Sequence, residues 1–251
     1  MSEWLFDLGN SRLKFAPLDG AGDRVGDIQA CAHDGEDFGT DWAGTLPPRI
    51  EVAWVAAVAA PAIDTRLLEA LAARAGRICI ARTQSAMAGV RIAYPRPRRL
   101  GVDRFLALLA AHARGPGPAL VVGVGTALTI DLLDAQGRHL GGRIAPSPTL
   151  MRSALHARAA QLPTQGGCYV DFAADTSDAL ASGCEGAALA LMDASIEAAT
   201  ARVGERPALL VHGGGAGQLV GRLPGARHLP ALVLEGLAQW RRAVTSPTAA
   251  R

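Results

Sequence analysis

Residues 119–143, ALVVGVGTALTIDLLDAQGRHLGGR, repeat the design of residues 3–19, EWLFDLGNSRLKFAPLD. In each, an apolar strand runs into a short glycine-containing turn and returns as a second apolar strand. Aligned, Asp7-Leu8-Gly9-Asn10-Ser11 falls opposite Gly123-Val124-Gly125-Thr126-Ala127. Two such hairpins imply two related halves, and their turns share a chemistry. Glycine lets a backbone approach a ligand closely, and exposed N–H groups with hydroxyls donate to an anion. The repeat therefore predicts a polyphosphate or nucleotide cleft between two similar lobes.

With 251 residues the chain can form one large domain or two lobes of about 120 residues each. Hydrophobic content of 49%, charged content of 19% and 29 glycines fit a compact α/β protein and exclude a disordered or fibrous one. A formal charge of +2 is too small to argue for nucleic acid or an anionic membrane surface, and neither is expected as a partner. Arginine carries nearly all the positive charge, so Lys14 is a rare feature. Cys31, Cys79, Cys168 and Cys184 are far apart and have no histidine at ligand spacing, which supports neither a zinc site nor a disulfide framework. Glu3 and Asp7 interrupt any signal-peptide core, and no apolar run approaches a bilayer span, so the expected compartment is the cytoplasm.

Periodicity predicts strands at 3–8 and 12–18, 50–58 and 77–82, helices at about 62–75 and 101–114, and an irregular Pro- and Arg-rich loop at 93–100. Gly115-Pro116-Gly117-Pro118 is the clearest breaker and sets the lobe boundary, giving lobes 1–115 and 116–251. Strands near 119–124, 127–133 and 139–144 follow, then helices at about 148–161 and 175–203. A strand at 207–212 ends in Gly213-Gly214-Gly215, a helix at 230–243 closes the fold, and the tail from Thr245 reads as frayed.

The first turn, DLGNSRLK, sets Asp7 at the end of a buried strand, where it can hold hydrated Mg²⁺ or orient phosphate oxygens. Gly9 makes the turn, while Asn10, Ser11 and Lys14 supply donors; a plain hairpin with a solvated lysine would need the same residues. Gly125 and Thr126 repeat the donor geometry. Asp103 and Arg104 open a helix, where an aspartate serves equally as a cap. As a pair they also suit phosphoryl transfer to an alcohol: the carboxylate accepts the hydroxyl proton and the guanidinium grips an anionic acceptor.

Together, DLGNSRLK, the segment Tyr94 to Arg104 (YPRPRRLGVDR), GTALT at 125–129 and LGGRIAP at 140–146 resemble the type III pantothenate kinases, in that order and over nearly the whole chain. The resemblance implies an α/β fold of two ribonuclease H-like, actin-like ATPase lobes, each a mixed sheet flanked by helices, with ATP held between them. It also implies phosphorylation of pantothenate by ATP with Mg²⁺, the first step towards coenzyme A, in a homodimer. Carried over by position, Asp7, Gly9, Asn10, Ser11, Lys14, Gly125 and Thr126 contact ATP, and Asp103 is the proton acceptor. Tyr94, Gly101, Asp103, Arg104 and Thr176 contact pantothenate; Thr176 also suits a helix N-cap. The HGGGA turn at 212–216 resembles the adenosine-side turn of the superfamily.

One position departs from the pattern. The family generally carries an Asp two residues before the GTA glycine, helping to hold an activating potassium or ammonium ion, and here that residue is Gly123. Either another group substitutes, Asp131 being nearest in sequence, or the ion is not needed. Ser147, where the family generally has Gly, is a smaller departure. Relatives of this family include Bvg accessory factors, so a regulatory homologue with weak or no catalysis is the alternative expectation, and a kinase acting on a sugar or another small acid is a second.

Overall fold

The structure, a computed structural model, describes residues 2–19 and 24–246, so most of the tail expected to fray lies outside the described residues. Along the chain run β1 (Glu3–Leu8), β2 (Arg12–Asp19), β3 (Arg24–Val25), β4 (Gln29–Ala32), β5 (Ile50–Ala57), α1 (Pro61–Ala72), β6 (Ala75–Ile80), β7 (Ala86–Met87), β8 (Val90–Arg91) and α2 (Val102–His112). There follow β9 (Ala119–Val124), β10 (Ala127–Leu133), β11 (His139–Pro146), α3 (Pro148–Arg158), α4 (Thr176–Val203), β12 (Ala208–His212), α5 (Ala216–Val220), β13 (Arg227–His228) and α6 (Leu232–Thr245). The segment 93–100 holds one 3-10 turn, Pro97–Arg99, because proline at its start presets the backbone angle that such a turn needs.

The chain forms two compact units. Unit 1 comprises Met1–Gly115, Gly137–His139 and Ala231–Arg251; unit 2 comprises Pro116–Gln136 and Leu140–Pro230. In unit 1 the strand order is β3-β2-β1-β5-β6, with β4 also on β2. β1 is antiparallel to β2 and parallel to β5. The sheet of unit 2 runs β11-β10-β9-β12-β13, and β9 is likewise antiparallel to β10 and parallel to β12. The hairpin repeat therefore extends to the whole topology, with α1 and α5 in matching crossovers.

In unit 1, alternation along β1 sends Trp4, Phe6 and Leu8 to one face, where they pack with Leu13, Phe15, Trp42 and the α1 residues Ile63, Leu67 and Leu71. The other face carries Glu3, Leu5 and Asp7. Here α6 docks: Arg241 donates to both oxygens of Glu3 at 3.0 and 2.7 Å, Trp54 Nε1 donates to the same carboxylate at 2.6 Å, and Trp240 meets Trp54 edge-on. The Arg241 hydrogen bonds hold the Glu3 carboxyl below its ordinary range. Gly236 lies directly on the Leu106 backbone of α2, an approach only a residue without a side chain permits. These contacts put α6 in unit 1, although sequence proximity had grouped it with 116–251.

Unit 2 packs Leu120, Val122 and Val124 of β9, Leu128 and Ile130 of β10, and Leu209 and Val211 of β12 against Ala188, Leu189, Met192 and Ile196 of α4. At 28 residues and mean hydropathy 1.2, α4 is by length and composition long and apolar enough to cross a membrane, contrary to the expectation that no segment was. Ala188, Leu189, Met192, Ile196 and Ala199 are the residues by which it lines this core. The opposite sheet face carries Gly123, Thr129, Asp131 and His212.

Candidate active site

In unit 1 the turn after β1 closes through Gly9 N–H donating to Arg12 O at 3.0 Å. His33, just past β4, braces it twice: its backbone N–H donates to Ser11 O at 3.2 Å, and its ring Nε2–H donates to Gly9 O at 2.8 Å. Asn10 and Ser11 stay exposed on the turn. Asp7 stands across from Lys14 in the register. Its carboxyl lies deep enough that burial, with the Asp103 charge adding to it and Lys14 opposing it, pushes its pKa up to about 7. Two acids expected at the site are thus close enough to feel each other.

Asp103 sits in the first turn of α2, whose N-cap residue is Gly101. A Cβ on Gly101 would lie 2.5 Å from Asp103 Oδ1, so the missing side chain is the space the carboxylate occupies. The N-cap residue, a glycine, has no side chain to cap with, and Asp103 is the acidic residue of the first turn, where the helix dipole also favours it. Arg104 is buried, donates to Tyr94 Oη at 3.4 Å and has its guanidinium carbon 6.0 Å from the ring centroid. Behind Tyr94, the His139 ring stacks at 5.9 Å and 24°. His139 reaches unit 1 on the Gly137–His139 segment, which Arg91 N–H anchors by donating to Gly137 O. Unit 1 therefore gathers Asp7, Lys14, Tyr94, Gly101, Asp103 and Arg104.

In unit 2, Gly125 N–H closes the second turn onto Ala127 O at 2.9 Å, and Gly125 and Thr126 are exposed. Ser147 N–H donates to Thr126 O at 3.4 Å, and its hydroxyl caps α3 by accepting from Leu150 N–H; this gives the serine at that departure a local role. The Gly213 turn packs on the end of β9, with Gly215 N–H donating to Val124 O. Thr176 is not the N-cap that its sequence suited. Asp175 caps α4 by accepting from Ser177 and Asp178 N–H, and Thr176 is exposed as the first helical residue.

Comparison with known proteins decides the family. A family model described as type III pantothenate kinase matches residues 4–198. A type III pantothenate kinase of Stenotrophomonas maltophilia (strain R551-3) is 59% identical over 240 residues, covering 96% of this chain and 97% of that one. One of Xanthomonas campestris pv. campestris (strain B100) is 57% identical over 247 residues, covering 98% and 100%. The chain belongs to the type III pantothenate kinase family. Among solved structures, a Campylobacter jejuni protein assigned to the Baf family of transcriptional activators aligns with a TM-score of 0.58 at 18% identity, covering 93% of this chain and 94% of that one. A Sinorhizobium meliloti protein assigned as a 2-dehydro-3-deoxygalactonokinase gives 0.56 at 16%, covering 97% and 99%. At such identities these two speak for fold alone, an α/β fold that this chain shares with them.

Among the described residues no three His, Cys, Asp or Glu cluster as a self-sufficient metal site. Asp7 with Asp103 nearby still fits Mg²⁺, which keeps most of its waters and binds through one or two carboxylates plus substrate phosphates. A monovalent ion does not fit at position 123. Glycine offers no carboxylate, and the space its side chain would enter is filled by Thr129 Oγ1 and the His212 ring. Sequence reading gave no part to His33, which braces the first turn, or to His139, which stacks on Tyr94, and it marked His212 only as the head of the HGGGA turn.

Proposed function

We propose that this chain transfers the γ-phosphoryl group of ATP to the terminal hydroxyl of pantothenate, giving 4'-phosphopantothenate, the first step of coenzyme A synthesis. Full-length kinship with named pantothenate kinases supports the substrate. The single observation that carries the chemistry is the placement of Asp103 over Gly101, within electrostatic reach of Asp7 and beside an Arg104 oriented by Tyr94.

Asp7, Gly9, Asn10, Ser11 and Lys14 of unit 1, and Gly125 and Thr126 of unit 2, bind ATP phosphates through turn N–H groups, hydroxyls and the lysine. Arg104 and Tyr94 take the pantothenate carboxylate end, and Gly101 with Asp103 receives the hydroxyl. Asp103 orients that hydroxyl in line with the γ-phosphorus and accepts its proton as the new P–O bond forms and ADP leaves. Because the transition state is loose, positioning contributes more than proton removal. Bound Mg²⁺ would neutralise phosphate charge and relieve the repulsion between Asp7 and Asp103.

The functional form is a homodimer in the cytoplasm, with Thr176 serving pantothenate at the partner's pocket. In support, Thr176 is relieved of capping by Asp175, and unit 2 exposes Ile144, Leu150, Leu155, Val170 and a 99% exposed Phe172, which a second copy would cover. A coupled assay of ADP release tests the reading. Release should require pantothenate and be weak with sugars or other hydroxy acids; ATP turnover absent with pantothenate, or equal with every alcohol, would overturn it.

A further inference from the structure

The two units differ most at one row of their sheets. In unit 1 three neighbouring strands set Lys14, Asp7 and Ala56 side by side. The matching row of unit 2 is Thr129, Gly123 and His212. A Cβ built on Gly123 would lie 2.7 Å from Thr129 Oγ1, 3.0 Å from His212 Nε2 and 3.2 Å from His212 Cε1. The imidazole therefore occupies, in unit 2, the place from which the Asp7 side chain projects in unit 1. Bulk has moved one strand over: a large residue beside a small one in each row, with acid exchanged for imidazole. His212 ends β12, and Gly123 stands just before the Gly125-Thr126 turn, so the ring lies where the strands open towards that turn.

We propose that His212 takes over, through a ring N–H, the part that a potassium or ammonium ion plays elsewhere in the family, so that this kinase turns over without a monovalent cation. The inference rests on the kinase reading above. Alkali ions are hard and take oxygen ligands; position 123 supplies no carboxylate to balance the ion's charge, and the imidazole that fills its place is a poor replacement. A ring N–H is instead a directional donor to a phosphate oxygen. Asp131 does not restore the site. It stands opposite Val121, one step of about 7 Å along the strand from the Gly123 row, and is 2% exposed.

The test uses the full-length protein in choline chloride against potassium and ammonium chloride at matched ionic strength, following pantothenate-dependent turnover and thermal melting in parallel. Wild-type rates should agree within about twofold across the salts, with no potassium-specific rise in melting temperature. His212→Ala should lose about tenfold or more in rate, His212→Asn, which keeps a donor, less. The double variant Gly123→Asp/His212→Ala should recover rate with potassium or ammonium only. Potassium stimulation of the wild type by about tenfold, a potassium-specific melting shift, or an unimpaired His212→Ala overturns the inference and leaves the kinase reading standing. Absence of turnover in every salt overturns the kinase reading instead, while the melting comparison still decides whether the wild type binds the ion.

Discussion

In both units the residue that follows the strand beside the hairpin ties down the turn by its backbone N–H: His33 to Ser11 O at 3.2 Å, Ser147 to Thr126 O at 3.4 Å. The backbone device is shared, but the side chains on it are not. Unit 1 adds Asp7, Lys14 and the His33 ring, and sets Asp103 nearby. Unit 2 offers glycine, a threonine hydroxyl and His212. The contrast teaches that geometry for holding an anion depends on strand register and turn closure, whereas proton and metal chemistry depends on a few ionisable side chains that one unit can carry alone.

That contrast makes graded predictions. The largest effect is expected for Asp103→Asn, a loss of about 10²–10⁴ in kcat with substrate KM values little changed; unaltered turnover on pantothenate would remove its role. Next is Asp7→Asn, for which the Mg-ATP concentration needed for half-maximal rate should rise by about tenfold or more, and a normal Mg²⁺ titration would dismiss the metal role. The same variant reports on pH. Folding raises the Asp7 pKa from 3.8 to about 7, so its proton stabilises the folded state; that contribution is complete below 3.8 and lost as pH climbs through 7. The melting-temperature advantage of Asp7→Asn over wild type should therefore grow between those values and level off above them. Wild-type activity at limiting Mg-ATP should fall as pH drops below about 7.

Gly101→Ala should act on position without touching charge. The new methyl collides with the movable end of Asp103 and otherwise makes an ordinary contact with Val58, so the fold should melt within a few degrees of wild type while kcat falls by about tenfold. The smallest effect is expected for Thr126→Ala: KM for ATP up by about threefold with kcat preserved, since this hydroxyl contributes binding and no proton or metal chemistry. If Thr126→Ala proved as harmful as Asp7→Asn, the division of labour between the two turns would be wrong.

The hairpins, the breaker at 115–118 and the helix starting at Val102 could all be read from the sequence, because each is a local pattern of apolar alternation, glycine or proline. DLGNSRLK and GTALT were readable for the same reason, since a turn carries its own signature. The placement of α6 was not: its apolar stripe matches many partners, and only the close approach of Gly236 to Leu106 and the Glu3–Arg241 pair select unit 1. His33 and His139 were equally hidden, for each acts on residues distant in sequence through register or ring stacking, and a lone histidine carries no local pattern. Asp175 displaced Thr176 as cap because two adjacent cap-forming residues compete, and a one-residue shift in the helix start chooses between them.

Docking of α6 on α2 has a temporal consequence. A ribosome reads this message from one end, so every residue of unit 2 has been synthesised before Leu232 exists, while Leu106 and its neighbours on α2 wait without their cover. Unit 1 is completed only after unit 2 has been made. Nascent chains stalled short of Ala231 should therefore display greasy helix surface that chaperones recognise, and docking of α6 is the event that hides it.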